Sequence, residues 1–246
     1  MSDVLVIQSH RAPLPCAWMA QCLDSVRDWA RQYGMTYRYL GDELFDLLPT
    51  GLRLKTQNQL VIAADLARLL AIRDAFAEGF ATVIWCDADM LVFDPAQLII
   101  APSSFALGRE VWVQEHDGRP RAYVKVHNAY LMFRRPNPFL DYYLHAAQQL
   151  VREHAGMMVP QFVGPKLLSA LHNVAKFPVQ ERAGMLSPLV MNDLLRGGGP
   201  YLDLFLARSP KPPAALNLCG SLVATGETND ADVEILVRLL LGREAF

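Results

Sequence analysis

Thr82 to Pro95 reads T-V-I-W-C-D-A-D-M-L-V-F-D-P, and the fold of the chain turns on how that stretch is taken. Thr82 to Cys86 is a short apolar run of the kind that forms a strand buried in a parallel sheet. Asp87 and Asp89 then arrive where such a strand reaches its carboxyl end, the edge at which open α/β sheets place their ligands. Two carboxylates with only Ala88 between them can turn toward one divalent cation and share it with a phosphate. Mg²⁺ and Mn²⁺ favour such oxygen sites, with few protein ligands and the substrate completing the shell. A plainer reading competes, because D-x-D recurs often by chance. In it, Asp87 caps the strand end locally and Asp89 is solvated. The apolar run resumes through Val92 and Phe93, and Asp94-Pro95 closes it as a turn.

Upstream, Gln57 to Phe76 predicts a helix that is apolar nearly all round from Leu60 to Ile72, hence buried. Only Asp65 and Arg68 interrupt it, three apart and on one face. Buried charges are seldom unpaired, so either the two form an internal ion pair or they line a pocket and bind something polar. Both explanations stand at this point. Earlier still, Val4 to Ile7 predicts a strand, followed by the polar cluster Gln8-Ser9-His10-Arg11, well placed to touch a ligand. His10 alone reads more readily as a structural hydrogen-bonder than as a catalytic group. Trp18, Leu23, Val26 and Trp29/Ala30 fall at helical spacing, and Met35 to Leu40 predicts a second strand. Strand, helix, strand at this spacing begins a parallel sheet. Gly41 to Lys55 reads as a connection with one helical turn.

Downstream, Ala96 to Ile100 predicts a short helix, and Glu110 to Gln114 and Tyr123 to Phe133 predict strands around an Asp117-Gly118 turn. Pro136 and Pro138 bracket the start of a helix running to about His154. Gly164-Pro165 opens another, with proline at its first position. Gly184 to Pro200 and Ser209 to Pro213 read as mobile connections, of the kind that either close over substrates or merely link elements. Asn229 or Asp230 caps a final helix that stops near Gly242. The apolar Val233 to Leu241 face can dock on the body, a partner or a membrane surface; docking on the body is the expectation.

The chain has 246 residues, 52% hydrophobic and 20% charged, enough to bury a full core. A net charge of −2 and a pI near 6.3 argue against a broad nucleic-acid footprint. The N-terminus lacks the pattern of a signal sequence, and no run of 18 uncharged apolar residues occurs. Cys16, Cys22, Cys86 and Cys219 show neither C-x-x-C spacing nor disulfide density. A cytoplasmic location with buried thiols is the expectation.

The ordered run Asp65-x-x-Arg68, buried helix, glycine, apolar strand and Asp87-x-Asp89 resembles the sugar-nucleotide region of D-x-D glycosyltransferases. The nearest likeness is to the Och1-like α-mannosyltransferase and capsular-polysaccharide group. Three later segments follow in the same order: Asn128-Ala129-Tyr130-Leu131-Met132-Phe133 with Pro136-Asn137-Pro138-Phe139, then Val163-Gly164-Pro165, then Asn217-Leu218-Cys219-Gly220-Ser221-Leu222. The chain departs from the family pattern at Glu78-Gly79, where the family has two glycines, and at Trp85, an aromatic displaced from the first Asp by Cys86. Asn217 and Leu222 stand where the family has histidine and tryptophan; an amide oxygen can still ligate a hard cation.

The resemblance implies a GT-A fold, an α/β single domain over 1–246 around a mixed sheet flanked by helices. Residues 1–100 would form the nucleotide-binding half, 101–225 the acceptor and sugar half, and 226–246 a C-terminal helix. It implies a hexosyltransferase that moves a sugar from a nucleoside-diphosphate sugar to a saccharide or other hydroxyl acceptor, with retention. Asp65 would hold the ribose or base and Arg68 the diphosphate, with Gln8 beside them in the nucleotide site. Asp87 would sit near the ribose and sugar hydroxyls, Asp89 would ligate Mn²⁺ or Mg²⁺ with Asp87 and Asn217 beside it, and Asn128 would bond a sugar hydroxyl. No nucleic-acid partner or transmembrane segment is implied, and peripheral membrane contact is compatible with it. Two alternatives are weighed against this. One is a non-catalytic nucleotide-sugar-binding protein of the same fold. The other is a phosphohydrolase of the haloacid-dehalogenase type, whose late acidic motif Gly226-Glu227-Thr228-Asn229-Asp230 faintly matches but whose signature has Thr or Val where Leu91 stands.

Overall fold

The structure is a computed structural model that describes residues 2–242. β1 (Val4–Ser9), α1 (Ala17–Gln32) and β2 (Thr36–Leu40) form the expected opening unit, with β1 and β2 parallel from Leu5↔Thr36 onward. α1 is amphipathic: Trp18, Cys22, Val26 and Trp29 face inward while Arg27 and Arg31 pair with Asp24 and Asp28 on the outside. The stretch from Gly41 to Lys55 holds more helix than its glycines and proline suggest. A 3-10 turn spans Asp42–Leu47 and α2 spans Thr50–Thr56, because Leu44 and Leu52 each bury against the core. α3 (Leu60–Ala77) is buried nearly all round, as its composition predicts.

β3 (Thr82–Cys86) is wholly buried. It pairs in parallel with β1 and in antiparallel with β6 (Arg119–Arg134), which forms a long hairpin with β5 (Phe105–His116) around Asp117-Gly118. Both turn residues have positive φ, 53° and 69°, the twist that a two-residue hairpin loop needs. With β7 (Val179–Gln180) the sheet is mixed, in the order β2-β1-β3-β6-β5-β7. Buried apolar residues of α3, α4 (Pro138–Glu153) and α5 (Pro165–Ala175) pack on one face in one cluster, and Val26 and Trp29 of α1 pack on the other. Asn137 caps α4, accepting from the Leu140 N–H at 2.9 Å.

A second, three-stranded sheet places β9 (Ala215–Asn217) between β4 (Met90–Val92) and β8 (Ala183–Met185). It ties the chain just after Asp89 to the late Asn217 segment: Met90 pairs with Asn217. Two expectations fail in this half. Ala96 to Ile100 is turn rather than helix, held by local bonds such as Gln97 N–H to Asp94 O. The stretch from Gly184 to Pro200 is largely regular structure, not a mobile loop. It contains α6 (Pro188–Leu195), whose Val190, Met191 and Leu194 are buried, and α7 (Pro200–Arg208) follows at once.

The glycine run between those helices is a tight corner rather than a hinge. Gly197 and Gly198 have φ of 80° and 145°, and a Cβ on Gly199 would overlap the Asp193 carboxylate. That carboxylate accepts the Tyr201 and Leu202 N–H groups at 2.7 and 3.0 Å and so caps α7 from the preceding helix. Asp193→Ala is expected to lower stability by about 1–2 kcal/mol, read as a shift in the urea midpoint with an unchanged m-value. α8 (Gly220–Thr225) and α9 (Asp230–Leu241) complete the chain, with Asn229 capping α9. α9 buries Val233, Leu236, Val237 and Leu240 against the body, as expected; residues 243–246 of the span 226–246 lie outside the described residues. Among the described residues no helix is long and apolar enough to cross a membrane.

Candidate active site

β1 and β3 run parallel and side by side, so the residues that follow them, Ser9 to Arg11 and Asp87 to Asp89, emerge at the same edge of the sheet. A cavity of about 600 Å³ opens there, floored by Arg68, Trp85, Asp87 and Asp89. The start of α3, the 3-10 turn, the first turn of α1 and α8 wall it. This is the position that the geometry of open α/β sheets favours for ligands.

Arg68 is 6% exposed yet its guanidinium reaches the floor. Its Nη1 donates to Asp87 Oδ1 and to the Asn128 carbonyl, both at 2.8 Å, while Nη2 lies 3.2 Å from Asp65 Oδ1. The two explanations for the Asp65/Arg68 pair thus divide between the residues: Asp65 is the buried ion-pair partner and Arg68 the one that lines the cavity. Because its fork is turned inward, Arg68 offers the cavity positive charge more than a free bidentate face.

Asp65 lies beneath the floor, 3% exposed. Asn128 Nδ2 donates to its Oδ1 at 2.7 Å, while Oδ2 has no hydrogen-bond partner. Burial pushes this carboxyl up, and the Arg68 charge holds it back. Gly164 is packed against the pair; a Cβ there would stand 2.5 Å from Asp65 Oδ2 and 2.8 Å from Asn128 Nδ2. That contact gives the glycine of Val163-Gly164-Pro165 a physical reason. Gln8 is fully buried behind the strand ends, where its amide donates to the Asp87 carbonyl at 3.0 Å and accepts from the Tyr37 hydroxyl at 3.1 Å. Gln8, Asp65 and Asn128 therefore meet the cavity only through Asp87 and Arg68.

Asp87 Oδ1 takes two donors, Arg68 and the indole Nε1 of Trp85 at 2.7 Å. Its Oδ2 carries no hydrogen bond among the described residues. Trp85 also lies under Arg68, with Cζ 5.2 Å from the ring centroid. The sequence showed this tryptophan only as a displaced aromatic; its function as a donor to Asp87 becomes visible once β3 is placed beside α3.

Asp89 Oδ1 accepts from Asn217 Nδ2 at 2.6 Å and Oδ2 from the Gly220 N–H at 2.7 Å. The left-handed Cys219, φ 50°, turns that N–H toward the carboxylate. Burial, then the nearby Asp87 charge, push Asp89 up to about 6 against these donors. Asn217, expected as a third ligand, presents its amide nitrogen to Asp89; its oxygen accepts the Cys219 N–H at 2.8 Å.

Two crowded carboxylates with hard oxygens facing a roomy cavity fit Mg²⁺ or Mn²⁺, which would relieve their mutual repulsion. Among the described residues no third His, Cys, Asp or Glu completes a cluster, so phosphate oxygens and water would fill the shell.

His127, beside Asn128, is fully buried. Its Nδ1 accepts from the Ala129 N–H, so Nε2 carries the proton and donates to the Ala183 carbonyl, each at 3.1 Å. Gly108 leaves room for the ring at a register shift in the β5–β6 ladder; a Cβ there would overlap the imidazole. Burial lowers the His127 pKa to about 4. Unfolded, it would titrate near 6.5, so the unfolded chain binds the extra proton between those values. The group's contribution is full above pH 6.5 and is lost as pH falls toward 4, up to about 3 kcal/mol. Asp89, raised to about 6, acts in the opposite direction. Urea midpoints between pH 7 and 4.5 should therefore fall more steeply in the wild type than in His127→Gln.

No protein-family pattern matches this chain, and no curated protein does. Solved structures do. A glycosyltransferase involved in the glycosylation of the major capsid of PBCV-1 superposes with a TM-score of 0.51 at 10% identity, over 96% of this chain and 99% of that one. The chain has the GT-A fold. Mouse xyloside xylosyltransferase 1 matches at 10% identity over 89% of this chain and 99% of its own, TM-score 0.48. The galactosyltransferase LgtC, in complex with donor and acceptor sugar analogs, matches at 13% identity over 95% of each chain, TM-score 0.47. The likeness is one of fold, and it does not favour the phosphohydrolase alternative.

Proposed function

We propose that the chain is a metal-dependent glycosyltransferase that moves a sugar from a nucleoside-diphosphate sugar to an acceptor hydroxyl, with retention at the anomeric carbon. The observation that carries this is the convergence of the Arg68 guanidinium with the Asp87 and Asp89 carboxylates on one cavity at the carboxyl edge of β1 and β3. A cation site alone would suit many reactions. A cation site beside a held arginine in a cleft of this size suits a diphosphate with a sugar attached.

In the reaction the bond from the anomeric carbon to the diphosphate oxygen breaks and its electron pair leaves with the nucleoside diphosphate. The acceptor oxygen forms the new bond to that carbon, and its proton passes to the departing phosphate. A divalent cation, when bound, supplies Lewis-acid stabilisation of the leaving diphosphate. Asp87, through Oδ2, and Asp89 would hold it. Arg68 places a fixed positive charge at the same point, locked by Asp65, Asp87 and the Asn128 carbonyl. It needs no reorganisation as charge develops. Trp85 donates to the same Asp87 oxygen as Arg68 and helps hold it, and Gln8, Asp65, Asn128 and Asn217 act as positioning residues. The order of the later motifs supports placing the enzyme near the Och1-like group, and the expectation of retention rests on that resemblance alone.

The test is the melting temperature against UDP and GDP with and without Mn²⁺, since a ligand that binds only the folded state raises it. A rise that needs both nucleotide and Mn²⁺ is expected. No shift with any nucleoside diphosphate, or a shift indifferent to chelator, sinks the reading.

A further inference from the structure

Exposed apolar side chains are ordinary when scattered; a group of them at the mouth of a cavity is not. Leu60 and Val61 open α3 and line the cavity, yet remain 61% and 58% exposed. Beside them is the segment after α4, where Met157 is 72% and Val159 48% exposed. The two stretches are clamped together by Gln59. It leaves α3 without a side-chain cap and instead bonds Met158 twice: its Nε2 donates to the Met158 carbonyl at 2.6 Å, and its Oε1 accepts the Met158 N–H at 3.1 Å. Met158 itself is buried, so its exposed neighbours are held in place rather than trailing in solvent. Residues 57–64 and 154–164 contain no Asp, Glu, Lys or Arg. This side of the mouth lacks acidic and basic side chains, presents four exposed apolar ones and is held in place, opposite a floor that is charged.

We propose that the acceptor carries an alkyl chain, and that this chain lies along Leu60, Val61, Met157 and Val159 while the reacting hydroxyl reaches the floor. The occupant follows from continuity. Leu60 and Val61 belong both to the patch and to the cavity wall, so a chain laid along the patch runs on into the cavity. The nucleotide sugar has no apolar chain to offer, and its charged end belongs with Arg68 and the two carboxylates. This inference rests on the glycosyl-transfer reading, because only there does a second, hydroxyl-bearing substrate enter.

The test compares methyl and octyl β-glucoside, below the micelle concentration, by thermal shift and tryptophan fluorescence. Octyl glucoside is expected to bind at least tenfold more tightly, a gain that burial of about two methylenes supplies. The double variant Met157→Ser/Val159→Ser, changed at exposed positions outside the cavity wall, should bring octyl binding down to the methyl value. Its own melting temperature and its nucleotide–Mn²⁺ shift should stay unchanged. Equal affinity for the two glucosides, or octyl binding indifferent to the double variant, overturns the proposal. So does co-sedimentation of the wild type, but not the double variant, with phosphatidylcholine vesicles, which would give the patch to a bilayer surface. Octyl binding without any nucleotide–Mn²⁺ shift overturns sugar transfer itself, and with it the assignment of the patch to an acceptor.

Discussion

Arg68→Met is expected to remove about 3–5 kcal/mol of folding stability at pH 7, the usual consequence of deleting one partner of a buried ion pair. The loss arises because Asp65 stays behind, 3% exposed, with only the Asn128 amide donating to it. The pH dependence should change as well. Without Arg68 the folded-state pKa of Asp65 rises further above its unfolded value, so the folded chain binds the extra proton. The deficit should then shrink as pH falls from 7 toward 5. Adding Asp65→Asn to Arg68→Met should recover part of the loss, and the two changes should not add. Urea unfolding of the four proteins of this cycle measures it; full additivity would show that the pair is not coupled. Diphosphate binding should be lost in Arg68→Met and should not return in the double variant.

Asp89→Asn should separate function from stability. Burial and the Asp87 charge raise this carboxyl to about 6, so folding disfavours its ionised form at neutral pH. The neutral amide removes that cost, but it accepts at one position only and turns its N–H₂ against either the Asn217 amide or the Gly220 N–H. The two effects oppose each other, so the stability of the metal-free protein should move by no more than about 1 kcal/mol. The same change removes the charge a divalent cation needs. Sugar transfer should fall by about 10²–10³-fold, the scale of several kcal/mol of transition-state stabilisation, and the Mn²⁺-dependent part of the nucleotide shift should vanish. Calorimetry in the presence and absence of Mn²⁺ measures both effects on one sample. A loss of about 3 kcal/mol or more, or a variant that keeps its Mn²⁺ response, would show that Asp89 serves only as a structural acceptor for Gly220 and Asn217.

How much of this was legible in the sequence depended on how local the signal was. The apolar run from Thr82 to Cys86 and the all-round burial of α3 follow from residue type and period, and both appear in the structure where the pattern puts them. The glycine-rich corner at 197–199 reads as mobile because Asp193, which fixes it, belongs to a helix whose short pattern is broken by Asn192 and Asp193. The sheet β4-β9-β8 left little periodic trace, since three-residue strands are too short to show alternation.

Residue type and order marked side chains that do come together, though not how they are layered. Arg68, Asp87 and Asp89 meet on the cavity floor. Gln8, Asp65, Asn128 and Asn217 stand one layer back, and the side chains they hold are what the cavity meets. Whether a polar side chain touches the ligand or a neighbour of the ligand depends on tertiary packing, about which spacing is silent. Trp85 is the converse case, a residue whose contribution depends on its indole N–H meeting Asp87.

The grip on Asp89 has a consequence for how the protein is made. Gly220 reaches it across 131 positions of chain and Asn217 across 128, while Asp230 holds the Trp18 indole from 212 positions away. In a nascent chain the strand that ends at Cys86 is made long before Asn217 and Gly220, so the Asp89 carboxylate stays ungripped until those two residues leave the exit tunnel. A product that stops short of Asn217 therefore lacks both of the late donors to Asp89.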